Sequence, residues 1–179
     1  MAACDITSGF ALGCRDNSGG IKALYILSGS VSSITETSNE ISDIDGTGVF
    51  YQFDLQRNTS DFTETINGST ENGTVFYEAT VNAVFAKLQT SVRNQIKVLA
   101  ANPDLKIVVE TNNDQSGSKF FYVGRVHGAQ LNGGQGQSGT AIGDANGYTL
   151  TFSSQEPSPA DVITGTTLAD ALTGITVSQ

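Results

Sequence analysis

Apolar and polar residues alternate with period two over several stretches of the chain, and only once does the apolar spacing lengthen to three and four. Over residues 74–85, Tyr77, Ala79, Val81, Ala83 and Phe85 fall on one side, while Glu78, Thr80 and Asn82 fall on the other. That pattern predicts a long strand with one buried face, although a helix with Tyr77, Val81, Val84, Phe85 and Leu88 on one face stays open at this level. Residues 49–55 (VFYQFDL) and 61–66 (DFTETI) alternate too, and residues 56–60 between them suit a hairpin connection. Residues 21–27 (IKALYIL) are rich in β-formers and predict a strand buried on both faces. Residues 105–111 and 119–126 predict a second hairpin across the turn 112–118, and residues 148–152 (YTLTF) a last strand.

The period changes at Leu88, Val92, Ile96 and Leu99, with Arg93, Asn94 and Lys97 on the other side, which predicts one helix over about 90–101. Thr90 or Ser91 can cap its start, and Asn102-Pro103 ends it because the residue before proline avoids helical angles. So short a helix is marginal alone and must pack its stripe on a sheet. Residues 28–48 are rich in Ser, Thr, Glu and Asp with isolated apolar stops at Val31, Ile34, Ile41 and Ile44, and they predict a long loop with a weak strand or two. Residues 67–73 (NGSTENG) read as a turn and residues 128–147 as a glycine-rich loop. An N-terminal arm over about 1–18 precedes the domain, a turn cluster over 14–20 ends it, and Pro157 and Pro159 open a C-terminal arm over 157–179. The sum is one mainly β domain over 1–156, the N-terminal arm included, with strands in an antiparallel meander and one packed helix.

Composition supports a folded core. About 150 ordered residues bury roughly 68–70% of their unfolded surface, so a chain of 179 residues needs no metal or disulfide to fold. The net charge of −9 argues against a surface that grips DNA or anionic membrane, which takes clustered Lys and Arg. The acids are unevenly spread: residues 1–66 hold nine against three bases, 67–126 five against six, and 127–179 four against none. No run approaches the ~18–20 apolar residues of a membrane span, and residues 1–13 lack the basic start and apolar run of a secretory signal, so the expected place of synthesis and folding is the cytoplasm. Asn58, Asn67 and Asn72 head Asn-x-Ser/Thr sequences, which in that setting are turn chemistry.

The groups that might supply chemistry lack their required contexts. Cys4 and Cys14 stand ten residues apart with no second pair, poor spacing for zinc, and their state as thiols or a later disulfide stays open. Gly134 to Gly139 spells G-x-G-x-x-G, but residues 140–147 after it form no amphipathic helix to meet a pyrophosphate. Asp43-Ile44-Asp45-Gly46 and Asp144-Ala145-Asn146-Gly147 each match part of a calcium loop without its downstream Glu, and both read as turns. His127, the lone histidine, is expected at a strand end facing solvent. The expectation is therefore no enzyme, with no catalytic, cofactor-binding or metal-binding residue.

Four stretches in order, CRDNSGGIKALYI (residues 14–26), TVFYEATVNAVFAKLQTSVRNQIKVLA (74–100), LKIVVETNN to FFYVG (105–124) and GTAIGDANGYTLTFSSQEP (139–157), resemble tail tube proteins of tailed bacteriophages. They span about half the chain, and their order carries the likeness more than their letters do. The resemblance implies an antiparallel β-sandwich or barrel with one packed helix, in a virion structural protein of the tail that is assembled in the host cytoplasm as hexameric rings stacked into a hollow tube through which DNA passes. It implies homo-oligomer contacts through sheet edges, loops and arms, with residues 28–48, 128–147 and 157–179 as candidate interface segments. A tape measure protein, and a sheath protein if the tail is contractile, are the further implied partners. Acidic residues at the two ends of the chain are candidates for the lumen, or for the outside. The other readings are a different tail, connector or baseplate component, and a secreted adhesion or ligand-binding β module.

Overall fold

Two strands, each with apolar residues on both faces, set the architecture. The computed structural model describes Gly9, Arg15 and residues 17–113 and 119–179. In chain order these form β1 (Ile21–Thr37), β2 (Glu40–Asp54), β3 (Asp61–Ser69), β4 (Thr74–Ala86), α1 (Thr90–Ala101), β5 (Ile107–Thr111), β6 (Phe120–Val123), β7 (Ala129–Gln137), β8 (Gly147–Glu156), β9 (Asp161–Ile163), a 3-10 turn (Leu168–Ala171) and β10 (Leu172–Ser178). The mainly β class is as the periodicity predicts. Cys4, Cys14, most of the arm over 1–18 and most of the turn over 112–118 lie outside the described residues.

One sheet runs β1-β5-β6-β9-β2 and closes on itself because β1 also pairs with β2, giving a barrel; β10 lies parallel to β2 and extends the edge where β9 stops. Ala23, Tyr25 and Leu27 of β1 point into it beside Phe50, Val108, Phe120 and Tyr122. Leu24 and Ile26, on the opposite face of β1, meet Val81, Ala83, Leu150 and Phe152 of the second sheet. Residues 21–27 are thus buried on both faces, as expected, save Lys22. The second sheet has the order β3-β4-β8-β7 and is antiparallel throughout.

Three expectations are overturned. The loop expected over 28–48 is the outer half of the β1–β2 hairpin, turning at Ser38 and Asn39 with φ of 58° and 66°, the two left-handed residues of a tight hairpin turn. Gly29 faces Gly48 across this ribbon, and a Cβ on either would fall 2.0 Å and 2.2 Å from a carbonyl oxygen of the other strand. Along its second edge, β2 pairs with β9 at Ile41 and with β10 from Ile44 to Tyr51. Residues 49–55 and 61–66 do not form a hairpin; they belong to different sheets, and residues 56–60 cross between them. Residues 157–179 are no free arm, because β9 pairs with β2 and β6, and β10 with β2.

The helix occupies the predicted residues. Its cap is Gln89, with no side-chain bond, in place of Thr90 or Ser91. Val92, Ile96 and Leu99 are half-buried, and Ile96 and Leu99 rest on the inter-sheet core.

The barrel encloses polar groups at both ends. At one end the Glu110 carboxylate accepts from Tyr25 Oη at 2.7 Å, Lys22 Nζ at 2.9 Å and Lys119 Nζ at 3.0 Å. Burial pushes its pKa up, but these three donors outweigh burial and hold it below the usual carboxylate range. At the rim Arg125 bridges Asp161 of β9 at 2.8 Å and Glu36 of the β1 ribbon at 2.5 Å. The Tyr122 hydroxyl is buried with no hydrogen-bond partner among the described residues, and burial raises its pKa. An unpaired buried hydroxyl contributes nothing to offset its desolvation, so Tyr122→Phe is expected to leave stability unchanged or raise it by up to about 1 kcal/mol, read as an unchanged or higher urea midpoint.

Candidate functional site

The four-stranded sheet presents its second face to solvent, and the register defines that face residue by residue. Across β3, β4 and β8 the rows are Asp61–Asn82–Thr151, Thr63–Thr80–Ser153 and Thr65–Glu78–Gln155. Val84 and Thr149 continue the face at one end, and Asn67 and Phe76 at the other. On β7, Gln130 and Gln135 join it, with Asn132 at a bulge between Leu131 and Gly133. The alternate positions Ala79, Val81, Ala83, Leu150 and Phe152 form the core, so strand alternation alone sorts the two faces.

The outer face is a ladder of hydroxyls and amides tied across the strands. Thr151 Oγ1 donates to Asn82 Oδ1 at 2.9 Å, Asn82 Nδ2 donates to Asp61 Oδ2 at 3.1 Å, and Asn132 Nδ2 donates to Ser153 Oγ. Such pairs hold side chains flat along the sheet and leave few long chains to reach outward. Its charge is one-sided: residues 61–86, 129–137 and 147–156 contain no Lys or Arg but hold Asp61, Glu64, Glu71, Glu78 and Glu156. Of these, Asp61 and Glu78 lie on the outer face.

At the β8 end an open groove of about 580 Å³ is lined by Phe76, Glu78, Gln130, Asn132, Ser153 and His127, among others. His127 is exposed, as expected, but lies in the connection between β6 and β7, four residues beyond Val123 and not at a strand end, and its Nδ1–H donates to Gln155 O at 3.1 Å. Glu156, buried beneath it, accepts from the backbone N–H of Val126 at 3.1 Å and of His127 at 3.0 Å. The carboxylate therefore fixes the backbone turn after β6.

The motif residues fall elsewhere. Gly134 to Gly139 spans the end of β7, and Gly134 and Gly136 face inward, where a Cβ would lie 2.8 Å from Leu150 and 3.0 Å from Tyr148. These glycines make room for two core side chains, and the loop expected over 128–147 is reduced to residues 138–146. Asp43 to Gly46 lies in β2, not in a turn. Asp144 is in a turn, where its carboxylate accepts from the N–H of Ala141 and Thr140, both at 2.7 Å, which lowers its pKa. No group of three or more His, Cys, Asp or Glu side chains able to hold a metal occurs among the described residues. Among the described residues, no helix is long and apolar enough to cross a membrane.

Both margins of this sheet are open among the described residues. β3 pairs only with β4, and β7 only with β8 apart from one bridge between Ala129 and Leu105. Edge strands in proteins that stay monomeric are blunted by Lys, Pro or a covering loop. Neither β3 nor β7 carries a Lys or a Pro; β3 carries Asp61 and Glu64, and β7 has no charge but holds the bulge after Leu131 and touches α1. What sequence reasoning missed here is β7 as an edge; the outward row Glu78, Thr80 and Asn82 was visible in the alternation of β4.

Comparison with models of protein families, with curated proteins and with solved structures gives no match to this chain.

Proposed function

We propose that this chain is a self-assembling structural subunit of the tail tube type, in which the four-stranded sheet forms the inner wall of a ring. The observation that carries the reading is the conjunction of two sheet margins, β3 and β7, that pair with no further strand among the described residues, with an outer face that holds carboxylates and no cation. Pairing β3 of one copy with β7 of the next satisfies both edges by one repeated rotation, and six such steps close the ring. The joined sheets then make a continuous cylinder whose lining is hydroxyl, amide and carboxylate.

That lining suits passage of DNA. Retention of a polyanion requires Lys or Arg to displace its counterions, and a wall with only negative charge repels phosphate while its side chains remain tied to one another. The reading assigns the chain no reaction. It places the protein in the tail of a virion after assembly in the host cytoplasm, with copies of itself as main partner, a tape measure protein inside the tube, and a sheath where the tail contracts.

Negative-stain microscopy of the purified full chain, over a wide range of concentration, is the test. Rings with a central channel, or tubes built from them, are the expected images. Monomers alone at every concentration, together with absence from purified virions, would overturn the reading.

A further inference from the structure

We infer that Asn72, in the turn between β3 and β4, is a self-modification site, where attack by the backbone nitrogen of Gly73 converts the side-chain amide to a carboxylate without an enzyme. The inference is independent of the assembly reading above.

The reaction needs a carboxamide and a following nitrogen free to approach it. The Gly73 N–H gives its proton to hydroxide or a buffer base, its nitrogen bonds to Asn72 Cγ, and the Cγ–Nδ2 bond breaks with loss of ammonia, leaving a succinimide ring. Water then opens the ring. Cleavage of the new N–Cγ bond gives aspartate, and cleavage of the original peptide bond gives isoaspartate, in which the main chain runs through the side-chain carbon. One water enters and one ammonia leaves, with no oxidation or reduction. Glycine after Asn favours the closure because it has no Cβ to crowd the nitrogen and its backbone turns freely.

Four Asn-Gly pairs occur in the chain, at Asn67, Asn72, Asn132 and Asn146, and their letters alone make them equivalent. The fold separates them. Asn67 and Gly68 lie inside β3, paired with Phe76 and Val75, and Asn67 Nδ2 donates to Glu78 Oε2 at 3.5 Å. Asn132 lies at the bulge of β7, with Gly133 paired to Thr151 and its own Nδ2 donating to Ser153 Oγ. Asn146 is held twice, since its Oδ1 accepts from Leu88 N–H at 3.1 Å and its main-chain oxygen from Lys87 N–H at 2.7 Å. Its Gly147 is buried between β4 and β7, paired with Ala86 and Gln137. In each of these three pairs a ladder fixes the glycine and a hydrogen bond holds the amide, so the nitrogen cannot swing onto Cγ without opening the sheet.

Asn72 has neither restraint. It lies with Gly73 between the last pair of the hairpin, Ser69–Thr74, and both residues are exposed. Its side chain makes no hydrogen bond among the described residues; its backbone N–H alone is engaged, donating to Ser69 Oγ at 3.3 Å. Nothing lies within 4 Å of the Cβ position of Gly73, so the turn has room for the ring. The hairpin also runs on past the end of the β4–β8 pairing at Tyr77–Glu156, and the turn can distort without disturbing the core.

The product changes the tip in two ways. A second carboxylate arises next to Glu71, taking the net charge from −9 to −10, and the isoaspartyl form adds a methylene to the main chain of the turn. The tip thereby acquires a charge that grows with the age of the molecule.

The test incubates the full wild-type chain in mildly alkaline buffer and follows all four sites by peptide mapping with tandem mass spectrometry, with a protein isoaspartate methyltransferase as probe for the rearranged form. In the folded chain Asn72 is expected to convert at least roughly tenfold faster than Asn67, Asn132 or Asn146, with isoaspartate among its products. In urea the four sites are expected to converge to similar rates, because the restraints on the other three are lost. The folded variant Gly73→Ala, checked by its thermal midpoint, is expected to slow conversion at Asn72 by about tenfold, since a side chain now crowds the attacking nitrogen. Equal rates at the four sites in the folded chain, a faster site other than Asn72, or an Asn72 that stays intact while the unfolded chain converts would each overturn the inference. Conversion at Asn72 without isoaspartate, or at an unchanged rate in Gly73→Ala, would overturn the backbone nitrogen as the attacking group.

Discussion

Alanine at Gly48 is expected to cost about 4 kcal/mol or more and to leave most of the chain unfolded or insoluble. Gly48 has φ of 128°, a backbone conformation closed to side chains, and its Cβ would stand 2.2 Å from Ser28 O. Strain of this kind costs ~1–3 kcal/mol, and the collision with backbone of the facing strand adds to it because no flexible side chain can yield. With total stabilities of about 5–15 kcal/mol, one methyl group consumes a large share. Gly73 is the control. It also has a positive φ, 63°, but nothing lies within 4 Å of its Cβ position, so Gly73→Ala is expected to cost only about 1–2 kcal/mol. Urea midpoints of the two variants separate them; equal midpoints would mean that the Gly29–Gly48 crossing does not decide barrel closure.

Glu110→Gln is expected to cost about 2–3 kcal/mol at neutral pH and to flatten the acid limb of the stability curve. Breaking a buried ion pair costs ~3–5 kcal/mol, reduced here because the Lys22 side chain is 55% exposed and can return to water. The carboxyl is held below its ordinary range in the folded chain and titrates near ~4.3 when unfolded. Its contribution is therefore complete above that value and is lost as pH falls toward the folded pKa. Tyr25 works in the opposite sense, since burial and then its bond to Glu110 raise its pKa. Its share is present below ~10 and lost as pH rises above that. Urea midpoints measured from pH 3 to 11 should fall at both ends for wild type, with a smaller acid-side fall for Glu110→Gln. Parallel curves for the two proteins would show that this carboxylate does not govern the acid limb.

Local alternation carries an element through to the fold only where nothing interrupts it. In β4 the pattern Tyr77, Ala79, Val81, Ala83 runs unbroken, and in α1 the spacing from Val92 to Leu99 is uninterrupted, so both elements were legible with their limits. In the outer β1–β2 ribbon, bulges between Val31 and Ser33 and between Thr35 and Glu36 shift the register, and the apolar residues lose their even spacing although each is on a strand. Three glycines in the same ribbon lower its strand character further. β7 was illegible for a different reason: its inward positions Gly134 and Gly136 have no side chain to reveal alternation. Partnership is less local still. Nothing in residues 49–66 signals that its two strands belong to different sheets, or that Ile41 lies beside Ile163. For the same reason the outer face could be read one strand at a time but not as a surface.

The pairing of Ile41 with Ile163, and of Ile44 with Leu172, also sets an order of events. The second edge of β2 receives its partners only after more than a hundred further residues have been synthesised, and contacts so distant along the chain form slowly. Until then the strand that later closes the barrel is itself open, and a nascent chain holds an incomplete wall. The barrel is therefore completed late in the synthesis of the chain. Cells making this protein at high level are expected to need that interval protected, by slow translation or by a holding chaperone, more than they need help with any later step.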